Sequence, residues 1–182
     1  MINTLCKVMP VAMLVVLTSA CGVTASSRNP GYVSFDEAQY DGLRRDTSIS
    51  IGPALLSIAA RHVDDDPTAR ALLAALNGVR VKVYHIDDEA DLAQLVRHVD
   101  AAATSLDDRW QRIVRVQEDD STAHILIKHS DEAILGLAIL AVDREELVFV
   151  NVMGELTPAM LEDLSPAIPE EQALALRYMP LN

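Results

Sequence analysis

Apolar and polar residues alternate along several short stretches of the chain, which is the pattern of strands that bury one face. The first stretch is Ser48–Ile51, and the second covers residues 79–84, where valines alternate with Arg80, Lys82 and Tyr84. Further strands follow in close succession, at about residues 110–116, 122–128, 134–142 and 147–153. Short turns separate them, so we expect these strands to run antiparallel as a meander. The stretch 134–142 is apolar on both faces, which predicts a central strand covered by helices.

Helical spacing of apolar residues fills the sequence between the predicted strands. Gly52–Pro53 and Asp66–Pro67 should each begin a helix, because aspartate caps a helix and proline fits its first turn. Asn77–Gly78 should end the second helix. A longer helix, capped by Asp87 or Asp88, carries apolar residues at core spacing: Leu92, Leu95, Val96, Val99, Ala103 and Leu106. A short helix is expected from Thr157–Pro158, and a turn or two of helix near residues 170–177.

These elements together predict one α+β domain over residues 47–182. We expect a mostly antiparallel mixed sheet, with a four-strand meander in its C-terminal part, packed against helices. The N-terminal part should form a β-α-α-β-α unit. A chain of about 160 residues can bury one such core, since a domain of about 150 residues buries roughly two-thirds of its unfolded surface.

Residues 1–20 have the composition of a secretory signal peptide. Lys7 closes a weakly basic start, and the apolar stretch Val8–Leu17 is too short to span a bilayer as a permanent helix. Thr18–Ser19–Ala20 then leads into Cys21. This order resembles the lipobox of bacterial lipoproteins, in which the cysteine thiol receives a diacylglyceryl group.

The lipobox resemblance implies cleavage before Cys21, acylation of the new terminus, for example with palmitate, and anchoring to a membrane of the cell envelope. Gly22 follows the cysteine where sorting signals for the inner membrane have aspartate, which favours the periplasmic face of the outer membrane. The alternative is that Cys21 is an ordinary residue behind a standard signal-peptidase site.

Residues 21–46 are expected to form a lipidated linker. Their first part is small and polar, and such a segment buries too little surface to fold alone. Tyr32, Phe35 and Tyr40 are unusual in a linker, and we expect them to dock on the domain itself.

Cysteine content and charge exclude several classes of function. Cys6 leaves with the signal and Cys21 would carry lipid, so the mature domain has no thiol for a disulfide, a metal or a nucleophile. The net charge is −12, and it becomes −13 once the signal and its Lys7 are removed. This acidity opposes binding to nucleic acid and to anionic lipid. The acidity is then explained either by solubility or by a surface that binds a basic partner.

Histidines are the natural candidates for a base or a metal ligand near neutral pH: His85, His98, His124 and His129. In the strand 122–128, His124 and Lys128 share one face with Leu126, while His129 points to the other. No two histidines have metal-ligand spacing, so exposed or capping roles are expected.

Acidic and basic clusters give no clear site either. Asp64–Asp66 and Asp87–Glu89 offer oxygen ligands for Ca²⁺ but lack the spacing of an EF-hand loop, so helix starts are expected. Arg80 and Lys82, with Arg112 and Arg115 from another strand, either form a basic patch or pair with acids across strands. No nucleophile elbow or glycine-rich phosphate loop is present, so no catalytic residue, metal or cofactor is assigned.

Several segments of the chain resemble one bacterial family, catalogued as domain of unknown function 4252. They are SIGPALL at residues 50–56, LNGVRVKVY at 76–84, WQRIVRVQED at 110–119 and LVFVNVMGEL at 147–156. The resemblance spans about residues 47–164 and implies a small envelope lipoprotein. Members are often encoded near extracytoplasmic-function sigma factors, which suggests a role in signalling.

Two functions are compatible with this sequence. The first is a non-enzymatic, lipid-anchored module that binds an envelope protein, with a membrane as its other partner and no nucleic acid. The alternative is a periplasmic hydrolase or small-ligand carrier, with a pocket between helices and sheet built from His85, His124 or dispersed acids.

Overall fold

The computed structural model describes residues 22–36, 40–63, 65–131, 133–157 and 160. Within them the strands and helices are β1 (Leu43–Ile51), α1 (Pro53–Arg61), α2 (Pro67–Ala75), β2 (Leu76–Ile86), α3 (Leu92–Thr104), β3 (Trp110–Glu118), β4 (Ser121–His129), β5 (Ile134–Val142) and β6 (Glu146–Leu156). The predicted signal peptide, Cys21 and the helical turns expected near residues 170–177 lie outside the described residues.

The six strands form one sheet in the order β1-β2-β6-β5-β4-β3, and every neighbouring pair is antiparallel. The predicted α+β fold is therefore confirmed. The strands β3 to β6 follow one another as the expected meander, and β6 then joins the pair β1–β2. The apolar strand β5 lies inside the sheet between β4 and β6, as its sequence predicts.

Helix starts follow the capping signals in two of three cases. Pro53 occupies the first turn of α1, and the Asp66 carboxylate accepts the N–H of Ala69 at 2.9 Å to cap α2. The predicted cap of α3 was wrong, because Asp91, and not Asp87 or Asp88, accepts the N–H of Gln94 at 2.9 Å.

The register of β2 explains both helix boundaries that the sequence misplaced. β2 continues to Ile86, which pairs with Leu43, so the residues after it must first turn before α3 begins. The Ala90 N–H donates to the Asp87 carbonyl at 2.9 Å within that turn. At its other end β2 starts at Leu76, so Asn77 and Gly78 lie in the strand instead of ending α2.

One face of the sheet carries the main core. A row of residues that pair across neighbouring strands runs over this face, from Lys82 through Phe149, Leu140 and His124 to Arg115. Helix α3 packs on this face, together with apolar residues of the strands and of the N-terminal segment: Phe35, Tyr84, Ile86, Leu95, Val99, Ala103, Leu126, Ala138, Leu140, Val142, Leu147 and Phe149.

The N-terminal segment, residues 22–36, also lies on this face, so it is not the free linker that its composition predicted. Phe35 is only 4% exposed and contacts Phe149 and Tyr84, with ring centroids 6.0 and 6.4 Å apart. The buried Asn151 side chain donates to the Gly31 carbonyl at 3.0 Å and accepts the Val33 N–H at 3.1 Å. Docking of the aromatic residues on the domain is confirmed.

Two glycines allow the segment to cross the sheet at backbone distance. A Cβ on Gly31 would lie 1.9 Å from the Leu135 carbonyl oxygen, and one on Gly136 would lie 2.6 Å from the Gly31 oxygen. A side chain at either position would therefore separate the segment from β5.

The opposite face is lined by β-branched and other aliphatic residues that stay partly exposed. Its middle row runs from Val81 through Val150 and Ile139 to Ile125. At one end, a smaller cluster gathers Leu72 of α2 and Met160 around Ile127, Ile134 and Leu156. Among the described residues, the cover that the sequence predicted for both faces of β5 is complete only on the face of α3.

Candidate functional site

A pocket of about 360 Å³ lies where the start of β1, the end of β2 and the first turns of α3 meet. The Leu43–Ile86 pair brings the residues before β1 beside the turn before α3. Gly42 closes this junction with a φ of +80°, a conformation that glycine adopts without strain, and its carbonyl accepts the Asp87 N–H at 2.9 Å. The lining residues are Tyr40, Asp41, Gly42, Asp87, Glu89, Ala90, Asp91, Gln94, Leu95 and His98.

Aromatic rings form one wall of the pocket. Tyr40 stacks on Phe35 with ring centroids 5.2 Å apart and contacts the His98 ring at 5.0 Å. Phe35 is part of the main core, so the wall is fixed to the sheet through it. Burial, reinforced by the nearby Asp36 carboxylate, raises the pKa of the Tyr40 phenol. Tyr40 therefore remains neutral at physiological pH.

Carboxylates dominate the charge of the pocket. Asp41, Asp87 and Glu89 are exposed at its rim, and apart from His98 the described residues of its lining include no basic one. The N-terminus of α3 alone would favour an anion, but the Asp91 carboxylate already accepts a hydrogen bond from that helix end. The remaining carboxylates therefore give this pocket a negative potential.

This arrangement suits a cation on an apolar stem. An ammonium or guanidinium group would meet carboxylates at the rim, while its alkyl part would contact the Tyr40 ring. Lysine and arginine side chains combine these two properties. From the sequence, Asp87–Glu89 was interpreted only as a helix start or as oxygen ligands for Ca²⁺. The pocket itself could not be predicted, because it joins residues 40–42 to residues 87–98.

A second acidic surface lies at the turns β3–β4 and β5–β6. It is lined by Glu118, Asp119, Asp120, Ser121, Asp143, Arg144 and Glu145. Arg144 pairs with Asp120 there, which neutralises part of the charge and raises the pKa of the guanidinium through that hydrogen bond. In the part of the chain that the structure describes, its lining has no aromatic residue. It therefore offers charge without the apolar wall of the first pocket.

His124 is completely buried under α3, so the prediction of an exposed histidine was wrong. Its Nε2 lies 2.7 Å from Oδ1 of Asp100, and Asp100 also accepts a hydrogen bond from Arg115 at 3.0 Å. Nδ1 has no hydrogen-bond partner among the described residues. Burial lowers the pKa of His124, and the cations Arg112 and Arg115 add to this effect, whereas Asp100 opposes it.

The contacts of His124 do not form a hydrolytic triad. In a triad, one ring nitrogen binds the acid and the other binds the nucleophile. Here the Asp100 carboxylate and the Thr122 hydroxyl both lie at Nε2, at 2.7 and 3.4 Å. Thr122 and His124 are both buried. The pair His124–Asp100 thus serves to attach α3 to β4.

The other predicted histidines are separated from this pair. His85 and His129 are exposed, as expected, and His98 lies in the aromatic wall of the acidic pocket. His85 on β2 and His124 on β4 are separated by β6 and β5, so these two histidines do not share a site.

The basic patch, one of the two interpretations of these residues, is not formed. β2, which carries Arg80 and Lys82, is separated from β3, which carries Arg112 and Arg115, by three other strands. Arg80 lies over the Tyr32 ring at 5.1 Å. The alternative was pairing with acids across strands. Arg115 does pair with an acid, but this acid is Asp100 on α3 and not a residue of a neighbouring strand.

Lys128, which shares a strand face with His124, is a second polar residue that the structure buries. Its ammonium bonds Asp107 at 3.1 Å and lies 5.6 Å from the centre of the Trp110 ring. The hydrogen bond from Lys128 also holds the pKa of Asp107 below its usual value. As at His124, a carboxylate next to α3 satisfies a buried polar residue of β4.

The described residues hold no group of three or more histidine, cysteine or acidic side chains arranged to bind a metal ion. In the cluster Asp64–Asp66, Asp66 is the cap of α2, as expected, and Asp64 lies outside the described residues. In the part of the chain that the structure describes, no helix has the length and hydropathy needed to cross a bilayer.

Comparison with known proteins identifies one family. The family described as Domain of unknown function (DUF4252) matches residues 40–164, which is more than half of the chain. The chain therefore belongs to this family, as its sequence resemblance predicted. The comparison with curated proteins gave no match.

Proposed function

We propose that this member of the DUF4252 family is a lipid-anchored protein of the bacterial cell envelope that binds a protein partner without catalysing a reaction. The observation that supports a binding role best is the acidic pocket at the start of α3. It combines an aromatic wall with rim carboxylates, and the partner would insert a lysine or arginine side chain into it.

The anchoring half of the proposal is supported by the N-terminal sequence. An apolar stretch, small residues and Cys21 occur in the order that lipoprotein processing requires. With a net charge of −13 after processing, the protein as a whole would not adhere to an anionic bilayer, so its attachment would come from the lipid.

The binding half is supported by the charge distribution around the pocket. A basic side chain entering it would be attracted by Asp41, Asp87 and Glu89. The rest of the acidic surface would steer a basic partner toward the protein and repel acidic ones. Such a contact would be weak for a single residue and would gain affinity as part of a larger interface.

The pocket is tested by titrating the mature protein with two peptides, acetyl-Gly-Lys-Gly-amide and acetyl-Gly-Glu-Gly-amide, while NMR follows the backbone amides. We expect the lysine peptide to shift the amides of Gly42, Ala90 and Leu95, and the glutamate peptide to leave them unchanged. The double change Asp41→Asn with Glu89→Gln should weaken binding by roughly fivefold to tenfold, because two rim charges of about 0.5–0.7 kcal/mol each add up to about 1–1.4 kcal/mol.

The matched control is Glu118→Gln with Asp119→Asn, which removes the same charge from the second acidic surface. It should leave the titration unchanged. Equal weakening in both double variants would mean that the peptide responds to net charge only, and the pocket would then have no specific role.

Lipidation is tested by the intact mass of the protein made in a bacterial host with its own leader. We expect a chain that begins at Cys21 and carries a diacylglyceryl thioether and an N-terminal acyl chain. Cys21→Ser should accumulate as uncleaved precursor, because the lipid is added before cleavage. An unmodified Cys21 at the mature terminus would refute the anchoring half and leave the pocket to be judged by its own titration.

A further inference from the structure

The first described residues place the N-terminus of the folded domain against helix α1. The Gly52 N–H donates to the Val23 carbonyl at 2.7 Å. A Cβ on Gly22 would lie 3.3 Å from that of Ala54. Residue 22 is therefore packed on the domain, and one peptide bond separates it from Cys21.

Exposed apolar side chains are concentrated at this corner. Of the five large apolar residues that are exposed in the described part of the chain, three lie on the two segments that meet at Gly52. They are Val23, Leu55 and Ile58, which are 44%, 42% and 49% exposed. On α1, Leu55 and Ile58 are three residues apart and share one side, while Leu56 and Ala60 are buried on another.

The same two segments differ from the rest of the protein in charge. Residues 22–35 and 52–61 contain no aspartate or glutamate, although the chain has 27 acidic residues. Their charged residues are Arg28 and Arg61. A surface with this composition is not repelled by lipid phosphates, in contrast to the protein as a whole.

We infer that Val23, Leu55 and Ile58 form a membrane-docking surface, which sits on the bilayer that holds the lipid of Cys21. The inference rests on the proposed lipidation of Cys21 and adds to it an orientation of the domain. With a diacylglyceryl group attached one residue before Gly22, the corner of α1 lies at the headgroup level, where exposed aliphatic side chains enter the acyl boundary. The acidic pocket at the start of α3 lies on other elements and faces the partner.

A fluorescent label measures this orientation. The lipidated protein is reconstituted into vesicles of phosphatidylethanolamine and phosphatidylglycerol, with a single new cysteine labelled by the polarity-sensitive dye NBD. The lipid occupies the Cys21 thiol, and Cys6 is removed with the signal peptide, so only the new thiol reacts. The test variant is Ile58→Cys, and nitroxide groups on the acyl chains of the vesicle lipid act as quenchers.

The matched control is Val116→Cys. Val116 is also exposed and apolar, at 36%, but it lies on β3 at the opposite edge of the sheet. We expect blue-shifted emission and a loss of fluorescence to the nitroxide lipids at position 58, and neither effect at position 116. Circular dichroism confirms that both variants fold, which their exposure favours.

The other outcomes separate the inference from the proposed function. If the intact mass shows the lipid but position 58 is quenched no more than position 116, the docking surface is refuted and the anchor stands. Equal quenching at both positions would show unspecific adsorption and would also refute it. If the mass shows no lipid, the anchor and the docking surface fail together.

Discussion

A chain that begins at Thr47 should fail to fold cooperatively, whereas a chain that begins at Gly22 should fold. The shorter chain lacks Phe35, and loss of a buried phenylalanine side chain costs about 3–5 kcal/mol. It also leaves the buried Asn151 amide without its partners in the segment 31–33, at about 1–3 kcal/mol, and removes the first half of β1. These losses are large against the roughly 5–15 kcal/mol by which a domain is stable.

Urea unfolding followed by circular dichroism measures this difference, with Phe35→Ala in the chain 22–182 as an intermediate case. That variant should unfold cooperatively, with a free energy of unfolding that is lower by about 3–5 kcal/mol, as expected for a buried phenylalanine. Ser34→Ala, an exposed neighbour, should match the parent chain. A cooperative transition of the chain 47–182 at the parent midpoint would show that residues 22–46 are the free linker that their composition suggested.

The segment 22–36 illustrates why composition alone misjudges a chain's role. Small residues allow the backbone of this segment to pack directly on the sheet, where Gly31 crosses Gly136. A polar composition usually marks a linker, since it offers little apolar surface to bury. Here Phe35 supplies that surface, and Asn151 satisfies the backbone of the segment. The aromatic residues Tyr32, Phe35 and Tyr40 are the part of the sequence that indicates this docking.

The strands were predictable because alternation depends only on neighbouring residues. The two consecutive helices α1 and α2 were predictable for the same reason, the second from the cap Asp66 and the proline after it. Which side of a strand faces the main core was not predictable in this way. In β4, Ala123, Ile125 and Ile127 make the more apolar face, yet His124 and Lys128 lie on the side of the main core.

Tertiary partners explain this exception in β4. Asp100 on α3 and Asp107 just after it supply carboxylates to His124 and Lys128. Buried polar groups are tolerated where such partners exist. Neither acid is close to β4 in sequence, so the local pattern contains no sign of the pairing. The acidic pocket escaped prediction for the same reason, since the β1–β2 register creates it.

Replacing His124 with alanine should destabilise the protein by about 2–3 kcal/mol at pH 7.5. The change opens a cavity under α3 and removes the hydrogen bond between Nε2 and Asp100. The matched control is His85→Ala, which removes an exposed histidine and should change stability by less than about 0.5 kcal/mol. Urea unfolding at equilibrium measures both values.

The stability contributed by His124 should also depend on pH in a defined direction. Because burial lowers the pKa of His124, the folded state holds this ring neutral, with Nε2–H donating to Asp100, while the unfolded chain takes up a proton below about pH 6.5. The contribution of His124 to the free energy of unfolding is therefore fully present above pH 6.5. It decreases as the pH falls toward the lowered pKa of the folded state. His124→Gln can still donate to Asp100 but cannot be protonated, so its stability should decrease less between pH 7.5 and pH 5. Parallel stability curves for the wild type and His124→Gln over this range would contradict the assignment of a buried, neutral His124.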